Sequence, residues 1–141
     1  MRFTNCDMYN EDQKIAFYFS PELDTAFLQE LYGEDLQQAE FIFESTVQQL
    51  RNELPLVESR FHDGDIAGLK KVIHKMKPLF GYTGLNEIMQ EFASFEQVCA
   101  QAETIAETES GFHHILSISL ESIKIAENEI KRLKQYNTQY L

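Results

Sequence analysis

Apolar residues along the chain recur at the spacing of helices, not strands. From Asp35 to His62, Leu36, Phe43, Leu50 and Val57 return every seven residues, and Val47, Leu54 and Phe61 fill the alternate places. That spacing lays one buried stripe along a helix. Pro55 falls inside it. It removes the hydrogen bond to the Arg51 carbonyl, so a kink is expected, but the stripe keeps its phase and one helix is predicted. His62-Asp63-Gly64-Asp65 reads as a turn, with Gly64 ending one helix and Asp65 capping the next.

A third helix is predicted over about Ile66 to Phe80, with Ile66, Leu69, Ile73, Met76 and Phe80 inward. After a Gly81-Tyr82-Thr83-Gly84 turn, the next runs from about Leu85 to Ala102 with Ile88, Phe92, Phe95 and Cys99 inward. Glu103 to Ser110 reads as a polar linker. The last helix is predicted from about Phe112 to Tyr136, on Phe112, Leu116, Ile123, Ile130 and Leu133. Ser20-Pro21-Glu22 has the form of a helix start, and that short helix should end near Tyr32-Gly33. Residues 1–20 are left as an N-terminal arm packing on the remainder, residues 21–141. Short connections between long amphipathic helices predict an all-α fold: an antiparallel up-down four-helix bundle with a short additional N-terminal helix.

At 141 residues with 43% apolar content, one domain is expected. A net charge of −11 argues against a nucleic-acid partner, which requires a basic footprint. No run of about 20 apolar residues exists to span a membrane. The start of the chain lacks the apolar core of a signal peptide, and Met1 fits a stand-alone protein. Two cysteines, Cys6 and Cys99, make no disulfide framework. A cytoplasmic monomer is expected. There is no glycine-rich phosphate cradle and no Cys pair at metal spacing. Glu58 with His62, and Glu109 with His113, have the wrong spacing for a di-iron bundle, and the adjacent His113 and His114 point about 100° apart. No metal site is expected.

His74 stands apart. At about 100° per residue it lies roughly 120° from the centre of its helix's apolar stripe, so it should be exposed. Ala67, Lys70, Lys77, Pro78 and Gly81 share its flank, with Lys71 just beyond. Asp65 to Gly84 carries a local charge of +3, which leaves −14 for the rest of the chain. Small neighbours let another surface approach, and Lys77, Lys70 and Lys71 suit a phosphoryl group. An exposed neutral imidazole is a nucleophile near physiological pH.

The string from His74 through Lys77, Pro78, Gly81 and Gly84 to Leu85 resembles histidine-containing phosphotransfer (HPt) domains. In that family the phosphorylated histidine is followed by lysine at +3, usually glycine at +4, and glycine at +10; here these places hold Lys77, Pro78 and Gly84. An acidic or amide side chain is frequent at +22, where this chain has Glu96. The resemblance covers about Pro21 to Tyr136. It implies a phosphocarrier, not an enzyme, that accepts a phosphoryl group from a receiver-domain aspartate onto His74 and passes it to another receiver. The partners would be receiver domains of a hybrid sensor kinase and a response regulator. The carrier itself needs no cofactor; the Mg2+ belongs to the partner receiver. Glu96 would accept from the histidine ring, while Pro78, Gly81 and Gly84 would shape the turn and give access. Tyr82, Asn86 and Gln97 would border the docking surface. Pro78 in place of glycine predicts a kink or frayed last turn beneath His74. The alternatives are a helical adaptor that binds a receiver without being phosphorylated, and, more remotely, a ligand- or metal-binding bundle.

Overall fold

The computed structural model describes residues 15–140, so Cys6, most of the expected arm and the final residue lie outside the described residues. A segment without regular secondary structure, residues 15–20, leads into five helices: α1 (Thr25–Tyr32), α2 (Leu36–His62), α3 (Ile66–Tyr82), α4 (Asn86–Gln101) and α5 (Glu109–Tyr140), with a 3-10 turn (Ile105–Thr108) before the last. The described residues contain no strand. None of these helices is long and apolar enough to cross a membrane.

Aspartates set three of the helix starts. Asp24, Asp35 and Asp65 accept from the backbone N–H of Phe27 (3.2 Å), Gln38 (3.1 Å) and Gly68 (2.8 Å). Each bond satisfies one of the donors that a helix leaves unpaired at its first turn. Both internal prolines are carried without a break: α2 continues through Pro55 and α3 through Pro78.

α2 packs against α3 and α5, α3 against α4, and α4 against α5, which closes a ring of contacts; α1 leans on α2. Phe43, Leu50, Leu69, Ile73, Met76, Phe80, Phe92, Phe112 and Leu133 are fully buried inside it. Each such side chain contributes about 1.5–3 kcal/mol on leaving water. The contacts between α2 and α5 fall in a regular order. Asn137 donates to the Leu36 carbonyl (2.9 Å), Lys134 pairs with Glu40 and Glu44, Arg51 with Glu127, and Phe61 stacks on Phe112 with ring centroids 3.9 Å apart.

Several boundaries differ from the expected ones. α1 begins at Thr25, four residues after the proline expected to open it. Ser20 makes a cap-like bond, but a turn and not a helix follows it. Its N–H donates to Glu129 of α5 (2.8 Å), its carbonyl accepts from Leu23 (3.0 Å), and its hydroxyl accepts from Glu22 (3.3 Å). The chain turns through Pro21 and Glu22, and Asp24 caps the helix instead. α5 starts three residues earlier than expected and runs on to Tyr140, while the 3-10 turn takes up half of the expected linker.

The segment ahead of α1 is fastened to α5 by a buried carboxylate. Glu129, 1% exposed, holds the Ser20 N–H on one oxygen and Arg132 on the other. Arg132 also donates to the Tyr18 carbonyl (2.8 Å) and lies 4.8 Å from the centre of the Phe17 ring. Phe19 completes the attachment by packing against Tyr32 and Phe43 in the core.

Candidate functional site

His74 projects from the middle of α3 with 69% of its side chain exposed, as its helical phase predicts. Its Nδ1 lies 2.8 Å from Oε2 of Glu96 on α4. Glu96 is only 13% exposed, and its other oxygen, Oε1, lies 2.6 Å from Nζ of Lys77. One carboxylate therefore bridges the histidine and the lysine one turn further along α3. Lys77 holds the Glu96 carboxyl below its ordinary value of 4.5; burial opposes this, and the His74 bond adds to the lowering. An ionised carboxylate only accepts hydrogen bonds. In the neutral ring, Nδ1 must then carry the proton, and Nε2 keeps a free lone pair. That is the tautomer a nucleophilic histidine requires.

The four lysines of α3 do not share one role. Lys77 is committed to Glu96, and Lys75 turns the other way to Oε2 of Glu53 on α2 (2.9 Å). Lys70 and Lys71 are exposed and make no ion pair among the described residues. Glu53 went unnoticed in the sequence: a buried carboxylate, 8% exposed, whose Oε1 has no hydrogen-bond partner among the described residues. Its place on the apolar side of α2, between Leu50 and Val57, was the signal available. Cys99, one turn beyond Glu96, is buried. Burial pushes its thiol up to about 11, the Glu96 charge adds to this, and Lys70 opposes it.

Pro78 is exposed and supplies no N–H to the His74 carbonyl. The last turn of α3 is nevertheless not frayed; it stays helical to Tyr82, two residues past the expected end. A buried hydroxyl secures it, since Tyr32 Oη donates to the Tyr82 carbonyl at 2.7 Å. Gly81 is half-buried, with room for a Cβ 3.5 Å from the Met89 sulfur. Gly84 is buried and serves α1 rather than access. Its φ of +74° is a left-handed conformation, its carbonyl accepts from Asp24 N–H (2.8 Å), and a Cβ there would fall 2.7 Å from Leu28. Of the expected docking residues, Tyr82 and Gln97 are exposed, whereas Asn86 is engaged by Asp24 at 2.6 Å.

The other histidines lie elsewhere. His114 pairs with Glu91, His113 lies 3.7 Å from Glu109, and His62 packs near Phe61 and Phe112. Among the described residues no three His, Cys, Asp or Glu side chains are placed to hold a metal ion. Comparison of the chain with models of protein families, with curated proteins and with solved structures returns no match.

Proposed function

We propose that this chain is a phosphocarrier of the histidine phosphotransfer type, with His74 as the phosphorylated residue. The observation that carries the reading is the exposed imidazole whose Nδ1 is committed to a carboxylate that also holds the lysine three residues on. This leaves Nε2 facing outward as the reactive atom. Its lone pair attacks the phosphorus of an aspartyl phosphate on a receiver domain. The P–O bond to the aspartate breaks, and the carboxylate leaves with the electron pair. The ring then carries a positive charge over its two nitrogens, and Glu96 stabilises it through Nδ1–H. Transfer to a second receiver is the same step reversed. The partner supplies Mg2+ and most of the catalysis, so the carrier is not itself an enzyme.

The helices fit this reading as an antiparallel up-down four-helix bundle. The α2–α5 contacts pair the start of one helix with the end of the other, and between α3 and α4 the earlier His74 meets the later Glu96 while the later Phe80 meets the earlier Phe92. The carrier would act as a cytoplasmic monomer between receivers of a hybrid sensor kinase and a response regulator.

The test is incubation with phosphorylated receiver domains. Acid-labile label should move to the wild-type chain and not to His74→Gln. Acid-stable label, or equal labelling of the variant, would refute the reading. Tight receiver binding without transfer would make the chain an adaptor.

A further inference from the structure

We infer that Lys70 is the cation that meets the transferring phosphoryl group at His74, and that Lys77 is a positioning residue acting through Glu96. The inference rests on the phosphocarrier reading and assigns parts within the same site.

On α3, Lys70 precedes His74 by four residues and Lys77 follows it by three. At about 100° per residue the two fall roughly 40° and 60° to the same side of His74. That is the side of α4, because Lys77 reaches Glu96 there. Residues four apart on a helix have Cβ atoms only about 5–6 Å apart, well within the reach of a lysine. His74 is thus flanked by two lysines on one side, one already paired and one not.

The charge balance distinguishes them. Before transfer, a neutral imidazole, the Glu96 carboxylate and the Lys77 ammonium sum to zero. After transfer the ring carries +1 and its phosphoryl group −2, so the site gains one net negative charge. The Lys77 charge is already balanced by the Glu96 carboxylate that orients the ring. Lys70 has no such competing partner among the described residues. Lys71 is equally unpaired but lies on the opposite flank.

The experiment uses phosphoramidate, a small donor that needs no receiver. The Nε2 lone pair attacks its phosphorus, the P–N bond breaks, and ammonia leaves with the electron pair. Uptake is followed by phosphorus-31 NMR for wild type, Lys70→Ala, Lys70→Arg, Lys77→Gln, the remote control Lys124→Ala, and His74→Gln. Lys70→Ala should slow uptake about five-fold, the factor one ammonium–anion contact near water supplies, and Lys70→Arg should restore it. Salt should slow the wild type by screening that contact, and Lys70→Ala should lose this dependence. Lys77→Gln should keep the salt dependence and raise the Glu96 titration midpoint, read by carbon-13 NMR. Wild-type uptake by Lys70→Ala, or loss of the salt dependence in Lys77→Gln alone, would overturn the assignment and leave the carrier intact. Labelling of His74→Gln at the wild-type rate would overturn the carrier itself.

Discussion

Gly84 offers a quantitative test of how α1 is held against the turn between α3 and α4. Replacing it with alanine has two costs. The first is conformational: φ is +74°, and an L-residue in that region costs about 1–2 kcal/mol, offset in part by about 0.4–1 kcal/mol through a stiffer unfolded chain. The second is steric. The new Cβ would lie 2.7 and 2.9 Å from Leu28 Cδ1 and Cγ, and 3.2 Å from the Asp24 backbone nitrogen. Leu28 is fully buried and cannot swing clear, and the Asp24 nitrogen is backbone bonded to the Gly84 carbonyl. Overpacking of this kind costs about 1–3 kcal/mol. The total is about 2–4 kcal/mol. Gly64 is the internal control. Its φ of +72° is nearly the same, but a Cβ there meets nothing within 4 Å. Gly64→Ala should cost only the conformational part, about 1 kcal/mol. In urea unfolding followed by circular dichroism, with a slope of about 2 kcal/mol per molar, the midpoint should fall by about 1–2 M for Gly84→Ala and about 0.5 M for Gly64→Ala. Equal shifts for the two variants would refute the close approach of α1 to this turn.

Other outcomes are expected. Pro78→Ala restores an N–H for the His74 carbonyl and should stabilise the chain by about 1–3 kcal/mol in the same urea assay; a loss of stability would mean that α3 depends on the proline ring. Glu129→Gln removes the charge that holds Arg132 and should speed hydrogen exchange at the Ser20 amide while the amides of α3 stay protected; unchanged exchange at Ser20 would exclude the clamp. The folded-state value of Glu96 is depressed, so its stabilisation is present above 4.5 and lost as pH falls through the folded value. Wild type and Glu96→Gln should therefore converge in stability as pH drops below 4.5, and a gap that widens on acidification would contradict the Lys77–Glu96 pairing.

The helices and the exposure of His74 were legible because both follow from periodicity. A stripe at three- and four-residue spacing fixes which face of α3 is buried, and the opposite flank carries the histidine without any knowledge of its neighbours. Asp65 was readable as a cap for a similarly local reason. The start of α1 was not. Ser20 and Pro21 carry a good local helix signal, but the chain turns there, and the helix starts only at Asp24, whose own N–H is held by the distant Gly84 carbonyl. The different fates of Lys70, Lys75 and Lys77 were equally hidden. All four lysines of α3 look alike as a basic strip, and only the positions of Glu53 and Glu96 on neighbouring helices separate them. Gly84 was visible as a turn residue, but the reason for its missing side chain lies in Leu28, on another helix.

The clamp at Glu129 and Arg132 bears on the order in which the molecule assembles. Its bonds join residues 109 and 114 apart in sequence, whereas His74 and Glu96 are 22 apart. Closing the longer loop costs about 1.4 kcal/mol more in chain entropy, before either contact returns anything. Local pairings form earlier in folding than distant ones. The α3–α4 hairpin can therefore bring the imidazole and its carboxylate together while the arm is still loose, and pulsed hydrogen exchange during refolding should find α3 and α4 protected ahead of Ser20. The last contact to close is then the first to reopen, and its reopening leaves the histidine where it was.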